Sequence, residues 1–140
     1  MSYAFRIDTN PIGKGRHRTT KHGTHYTPAK TVSAEKYVKL LAAQVYSGAP
    51  WTGAVRVDFE MVYRMPKRLP TDRDWPSCKP DADNVIKLVL DALNRQMYSD
   101  DSNVTQGSWL KRYTVGEELP HVDVKVTFLR RSVRRKRRNG

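Results

Sequence analysis

Alternation of apolar and polar residues predicts four strands along the chain. The pattern is clearest over residues 55–63, where every second residue is apolar, and a shorter version covers residues 3–7. Residues 104–115 and 122–128 also have the composition of strands. We expect residues 116–120, which separate the last two strands, to join them as a hairpin.

Two segments carry apolar residues at the i, i+3, i+4 spacing of an amphipathic helix. The first spans residues 33–46, with Ser33 as a candidate N-cap and with Gly48 and Pro50 to stop it. The second runs from Asp83 to about Arg95. We expect the apolar stripe of this second helix to lie in the core; it consists of Ile86, Val89, Leu90, Leu93 and Met97.

The predicted order of elements is therefore β-α-β-α-β-β. Two helices packed on one face of a four-stranded, mixed and mostly antiparallel sheet would bury these apolar faces, which is an α+β fold. A chain of 140 residues has room for about one domain, which we assign to residues 1–129. Residues 10–31 and 65–80 read as long loops rich in glycine and proline, and residues 130–140 as a flexible basic tail.

The charge balance points to a polyanionic partner, and nucleic acid is the leading candidate. The chain has 26 basic and 14 acidic residues, a net charge of +12. Seven basic residues lie in the tail, so the rest of the chain keeps 19 basic residues against 14 acidic ones, a net +5. The candidates for contact with a phosphate backbone are Lys14, Arg16, Arg18, Lys21, Lys30, Lys79, Arg134, Arg135, Lys136, Arg137 and Arg138.

Composition also excludes several classes of protein. The sequence has no run of 18 apolar residues and no apolar segment typical of a signal peptide at its N-terminus. A single cysteine, Cys78, forms no internal disulfide and suits a reducing compartment. With 38% hydrophobic residues, the chain is too apolar to be wholly disordered. We therefore expect a folded cytoplasmic protein that binds neither a membrane nor a small-molecule cofactor.

Acidic residues concentrate between Asp72 and Asp101, where they would repel a phosphate backbone unless a divalent cation intervened. Mg²⁺ prefers carboxylate oxygens and substrate phosphate, and it polarises the phosphoryl oxygen and activates the attacking water. Asp81 and Asp83 lie where an extended segment enters the second helix, so their side chains can converge at its start. Lys87 is one turn further on, with its Cβ about 6 Å from that of Asp83.

Two further acidic positions differ in their reach. Asp91 lies eight residues after Asp83, about 12 Å along the helix axis, which is too far for the same ion. It is better explained as a structural residue. Asp100 or Asp101, in the turn before the next strand, can return to the helix start only through tertiary folding.

The stretch from Lys79 to Lys87 reads Lys-Pro-Asp-Ala-Asp-Asn-Val-Ile-Lys, and it is followed by Asp91-Ala92-Leu93 and Asp100-Asp101. This combination closely resembles the RusA family of Holliday junction resolvases. The resemblance implies a homodimeric endonuclease, dependent on Mg²⁺ with Mn²⁺ as a substitute, that makes paired symmetric nicks in four-way DNA junctions during recombination and repair. It also implies a bacterial cell or a phage-infected one.

The family's catalytic residues carry over by position. Asp81, Asp83 and Asp101 match its catalytic, metal-binding carboxylates, and Lys87 matches its motif lysine. The choice between Asp100 and Asp101 rests on the resemblance alone. The Arg-rich extension after Phe128 departs from the family pattern, and a non-specific arm of this kind could broaden binding beyond junctions.

Other interpretations of the same residues stay open. Asp81 and Asp83 could simply cap the helix, an effect of about 0.5–2 kcal/mol, and the protein would then be a non-catalytic nucleic-acid-binding module. The basic tail also fits an RNA-packaging or ribosome-associated protein. Lys87 could pair with Asp83 or Asp91, and Trp75 could either stack on an exposed base or cover the core.

A zinc site is the weaker interpretation of the histidines. His17, His22 and His25 with Cys78 match no usual spacing of zinc ligands. The loop that carries the histidines is basic, which favours a solvated surface facing DNA.

Overall fold

The computed structural model describes residues 1–15, 18–19, 23, 25–26, 28–68 and 74–130. Its strands are β1 (Ser2–Ile7), β2 (Arg18–Thr19), β3 (His25–Tyr26), β4 (Val55–Tyr63), β5 (Val104–Tyr113) and β6 (His121–Phe128). The helices are α1 (Ala29–Val45) and α2 (Ala82–Leu93), and a single 3₁₀ turn covers Asp101–Asn103.

Four of the strands form one mixed sheet in the order β1-β6-β4-β5. β6 is antiparallel to both of its neighbours, whereas β4 and β5 are parallel and are connected through α2. β2 and β3 form a separate antiparallel pair inside the predicted first loop. The predicted α+β class, the mixed four-stranded sheet and the order of its main elements are confirmed.

The predicted hairpin between the last two strands is wrong, because β5 and β6 lie on opposite sides of β4. Burial gives the physical reason. Every second residue of β6, including Val122, Val124 and Val126, is almost fully buried, so this strand belongs in the centre of the sheet. Most of β5 is exposed, and it occupies an edge.

The predicted start of the first helix is also wrong. α1 begins at Ala29, after Pro28, so that Ser33 lies inside the helix and is not its N-cap. A tertiary contact supports the added turn: Thr31 is buried, and its hydroxyl accepts a hydrogen bond from the backbone N–H of Gly15 at 3.0 Å. α2 begins one residue earlier than predicted and ends at Leu93, just before Arg95 takes a left-handed φ of 65°.

The core lies between the two helices and the inner face of the sheet. Val89 and Leu93 of α2 are fully buried there, together with Met61 of β4. Ile86 and Leu90 are only half-buried, so the predicted core stripe is correct on one side and open on the side facing β5. Among the described residues, neither helix is long and apolar enough to cross a membrane.

Candidate active site

The Asp-x-Asp pair lies at the exposed start of α2. Asp81 is the N-cap residue, and Asp83 lies in the first turn. The backbone carbonyl of Asp81 accepts hydrogen bonds from the N–H groups of Asn84 and Val85, at 3.1 and 3.2 Å. Within the part of the chain that the structure describes, its carboxylate makes no capping hydrogen bond. The helix therefore holds the backbone of Asp81 and leaves its side chain available to a ligand.

The turn before Asp81 is held by two side chains from the sheet. The Tyr63 hydroxyl donates to the carbonyl oxygen of Pro80 at 2.7 Å. The Lys111 ammonium donates to the carbonyl of Cys78 at 2.7 Å and lies 3.4 Å from that of Pro80. The sequence motif gave no sign of either residue, because both come from strands distant in sequence and neither is acidic.

The N-terminal segment covers the other side of this turn. An added Cβ at Gly13 would lie 2.9 Å from the Cβ of Pro80 and 3.2 Å from that of Asn84, so glycine allows the close approach. The next backbone N–H, that of Lys14, donates to the carbonyl of Asn84 at 3.0 Å. Residues 13 and 14 therefore lie directly against the start of α2.

Lys14 was predicted to contact DNA, but the structure places its side chain in an ion pair within the protein. The ammonium pairs with Asp91 and lies 3.6 Å from Glu35, and the side chain is 18% exposed. Burial lowers the pKa of Lys14, but Asp91 and Glu35 raise it more, and the net shift is upward. Asp91 thus has the structural role that its spacing suggested.

Lys87 stands one turn after Asp83 on the open face of α2. Its side chain is 64% exposed, and its ammonium lies 3.9 Å from Asp91. Of the two pairs considered from the sequence, the structure forms the one with Asp91 and not the one with Asp83. At that distance and exposure the pair is weak, and Lys87 can turn toward a bound phosphate.

The paired aspartates divide their roles at the 3₁₀ turn before β5. The Asp100 carboxylate accepts a hydrogen bond from the N–H of Ser102 at 3.0 Å. Hydrogen bonds from the side chain and then the backbone of Ser102 lower the pKa of Asp100. Asp101 is the first residue of the turn, and its side chain is exposed. Asp100 is therefore the capping residue of the pair, and Asp101 is the one whose position leaves it open to a ligand.

The structure does not bring Asp101 to Asp81 and Asp83 within one chain. Parallel pairing sets Val104 beside Val55 where both strands begin, whereas Tyr63 reaches the turn before Asp81 from the strand end. α2 runs back between these two ends, and its 12 residues span about 18 Å. Among the described residues, no group of three Asp, Glu, His or Cys side chains is close enough to hold one metal ion.

Two predicted backbone contacts, Lys30 and Lys79, are exposed close to Pro80. Lys30 and Pro80 help line a surface groove of 640 Å³ between the N-terminal segment and the start of α1. Trp75 is 62% exposed, which favours an interaction at the surface over a place in the core.

Several predicted residues lie outside the described part of the chain. They are Arg16, His17, Lys21, His22, Arg134, Arg135, Lys136, Arg137 and Arg138. Only the backbone of Arg18 and His25 is described. The predicted DNA contacts of the tail and the weaker zinc interpretation therefore stay predictions.

Comparison with known proteins identifies the family. Residues 8–127 match the model of the endodeoxyribonuclease RusA family. The chain is also 33% identical over 135 residues to YqaN of Bacillus subtilis (strain 168), an uncharacterized protein, with 87% of this chain and 93% of that protein covered. With 120 residues matched by the family model, the chain belongs to the RusA family of endodeoxyribonucleases.

Proposed function

We propose that this protein is a Mg²⁺-dependent endonuclease that resolves four-way DNA junctions by paired, symmetric nicks during recombination and repair. One observation carries the proposal: two adjacent carboxylates, Asp81 and Asp83, lie exposed at a helix start on a chain of net charge +12 that belongs to a nuclease family. A basic surface attracts DNA, but exposed acidic residues on it would repel the phosphate backbone unless they held a cation. We place this activity in the cytoplasm of a bacterial or phage-infected cell.

The chemistry of the two side chains fits Mg²⁺. This ion usually takes one or two protein carboxylates, keeps several waters and is completed by substrate phosphate. When bound, it would polarise the phosphoryl oxygen and activate the attacking water. Asp81 and Asp83 would hold it, while the exposed Lys87 would offset charge on the phosphate. Lys30 and Lys79 would bind the neighbouring backbone phosphates.

The open edge of the sheet supports the homodimer. Among the described residues, no strand pairs with the outer edge of β5. Trp109 and Leu110 of this strand are 57% and 45% exposed, and half-buried Ile86 and Leu90 of α2 lie beside Trp109. Proteins normally protect an edge strand, and an exposed apolar patch marks an interface. We infer that a second copy pairs its own β5 antiparallel to this one about a two-fold axis.

This pairing would also supply the missing carboxylate. In an antiparallel pair, the beginning of one β5 lies beside the end of the other. Asp101 precedes the beginning of β5, and Asp81 lies near its end. Asp101 of the partner subunit would therefore approach Asp81 and Asp83. Each dimer would have two such sites, one for each of two symmetric nicks.

The test is a cleavage assay on a synthetic four-way junction, a linear duplex and an RNA, each with and without Mg²⁺. We expect nicks in the junction only with Mg²⁺ or Mn²⁺. Asp81→Asn and Asp83→Asn should abolish cleavage while keeping or tightening DNA binding, because each removes a negative charge. Undiminished Mg²⁺-dependent nicking by both variants would contradict the assignment.

The same assay decides between the alternatives. A non-catalytic binding module would bind DNA equally with and without Mg²⁺ and would produce no nicks. An RNA-packaging or ribosome-associated protein would prefer the RNA to the junction.

A further inference from the structure

A lysine on the edge strand reaches the turn that carries the metal-binding pair. Lys111 lies on the inner face of β5, opposite Met61 in the parallel register. Its ammonium donates to the carbonyl of Cys78 at 2.7 Å and lies 3.4 Å from that of Pro80. The residue after Pro80 is Asp81, so this cation contacts the backbone of the turn that leads into the candidate site.

The phenol of Tyr63 completes the clamp. It donates to the same Pro80 carbonyl at 2.7 Å, and its ring lies under the Lys111 ammonium, 4.7 Å from the ring centroid. The side chain is almost fully buried, and burial raises the pKa of Tyr63 to about 12, so the hydroxyl stays a donor over the working pH range. The Lys111–Tyr63 clamp therefore places two donors on two backbone carbonyls.

Lys111 is not explained as an ordinary ion pair. Within the described part of the chain, its ammonium lies within 4.0 Å of no carboxylate, although Lys14 and Arg112 on the same domain do find acidic partners. A half-buried ammonium that contacts only carbonyls and an aromatic face has a directional role. That role is to fix where the two carbonyls point.

Fixing the Pro80 carbonyl fixes the start of Asp81. The carbonyl of Pro80 and the N–H of Asp81 belong to one planar peptide, so they cannot rotate independently. On the other face of the turn, Gly13 lies against Pro80. The turn is thus held from both sides, and Asp81 and Asp83 are oriented before any cation arrives.

We propose that Lys111, acting with Tyr63, is a positioning residue for the metal site of this nuclease. The inference rests on the proposed function. Loss of the clamp would leave Asp81 and Asp83 in place, but a cation would then have to order the turn as it binds. The expected effect is weaker metal affinity, with the chemistry at saturating metal and the affinity for DNA largely kept.

The experiment measures Mn²⁺ binding to the full-length protein by electron paramagnetic resonance, without DNA. Lys111→Met should raise the Kd for Mn²⁺ about tenfold, the range found when a group that orients a metal ligand is removed. The Mg²⁺ concentration for half-maximal junction cleavage should rise by a similar factor. Lys111→Arg should recover much of the affinity, because a guanidinium can donate to the same carbonyls.

Lys125→Met is the matched control. Lys125 is exposed on the outer face of β6, and the same loss of a positive charge there should leave the Kd for Mn²⁺ unchanged. Tyr63→Phe gives a second route that does not depend on how well Lys111→Met folds. Because both residues contact the Pro80 carbonyl, the two changes together should raise the Kd by less than the product of their separate factors.

Three outcomes would count against the inference. Wild-type Mn²⁺ affinity in both Lys111→Met and Tyr63→Phe would overturn it, and so would independent, multiplicative effects of the two changes. If the wild-type protein nicks junctions with Mg²⁺ while both variants bind Mn²⁺ as tightly as it does, the inference is overturned and the proposed function stands. A wild-type protein that neither binds Mn²⁺ nor nicks would overturn both.

Discussion

The two ends of α2 carry the same kind of residue but are built in different ways. At the N-terminal end, Asp81 and Asp83 are exposed beside a turn held by polar contacts from Tyr63 and Lys111. At the C-terminal end, the paired aspartates follow a segment fixed by aromatic packing, and Asp100 is used as a cap. Residues that form one motif in the sequence are thus separated by the length of a helix.

At the C-terminal end of α2, the following segment packs and hydrogen-bonds around Trp51. The backbone N–H of Trp51 donates to the carbonyl of Met97, and the backbone N–H of Ser99 donates to the carbonyl of Trp51, both at 2.9 Å. The indole ring stacks on Phe128 with centroids 5.0 Å apart.

Tyr98 is fully buried, and its hydroxyl donates to the carbonyl of Leu90 at 2.6 Å. The backbone that leads into the paired aspartates is therefore held by contacts within the protein.

One end of α2 thus carries a pair of exposed carboxylates beside a held turn, whereas at the other end Asp100 caps the 3₁₀ turn and Asp101 is exposed beside it. The proposed dimer brings the two kinds of end together across β5. Substitutions can disrupt either end of α2 or the proposed contact between the two ends.

The largest effect is expected from the carboxylates themselves. Asp81→Asn, Asp83→Asn and Asp101→Asn should each reduce junction nicking by about 10³-fold or more, since a metal ion supplies several kcal/mol of charge stabilisation in the transition state. Asp100→Asn is the matched control, because that side chain caps the turn and is expected to lose little activity. The rate of single-turnover cleavage at saturating protein measures the loss in each variant and in the control. Equal, severe losses in Asp100→Asn and Asp101→Asn would contradict the division of roles.

The next effect comes from breaking the connection. Trp109→Glu places a charge on the exposed apolar edge and should convert the dimer to a monomer, as measured by light scattering coupled to size-exclusion chromatography. Nicking should fall with it, although every aspartate is intact. Trp75→Glu, at a tryptophan that is 62% exposed elsewhere, should remain dimeric. A Trp109→Glu monomer with wild-type activity would contradict a site shared between two copies.

A moderate effect distinguishes how the two ends are held. Tyr98→Phe removes a buried donor from the Leu90 carbonyl and should lower the free energy of unfolding by about 1–2 kcal/mol in a urea titration. Its Kd for Mn²⁺ should stay that of the wild type. Tyr63→Phe should behave in the opposite way: its main effect should be a clear loss of Mn²⁺ affinity and not a lower free energy of unfolding. Similar changes in both quantities for both variants would remove the distinction between the ends.

The smallest effect on cleavage is expected from the tail, whose predicted contacts are with the DNA backbone. Deleting residues 131–140 removes six basic residues. The slope of log K against log salt for duplex binding should become shallower by about 5, or about 0.9 for each phosphate contact that is lost. The nicking rate at saturating protein should hardly change. An unchanged salt slope would show that the tail makes no backbone contacts.

Much of the fold was predictable because its signals are local. The alternation in β4 and β6 and the helical spacing in α2 follow directly from which faces are buried. The position of β5 was not predictable, because an exposed edge strand and a hairpin strand have similar local patterns. The start of α1 was missed because the contact between Thr31 and Gly15 is tertiary.

The candidate site was likewise predictable where its signals are local and not where they depend on tertiary contacts. The motif located Asp81 and Asp83 at the start of α2, and its spacing correctly kept Asp91 apart from them. Lys14 could not be recognised as an internal partner of Asp91, since the pair joins residues 77 apart. Tyr63 and Lys111 gave no signal for the same reason. The separation of Asp101 from the pair depends on the parallel register of β4 and β5, which no local pattern reports.

The most direct test of the shared site is complementation between two inactive variants. One carries Asp81→Asn with Asp83→Asn, and the other carries Asp101→Asn; each alone should fail to nick a junction. Mixed under conditions that exchange subunits, they should form heterodimers in which one of the two sites is intact, restoring about a quarter of wild-type nicking and mostly single nicks. If the three carboxylates acted within one chain, both sites of every heterodimer would be damaged, and a mixture as inactive as its parts would contradict the account.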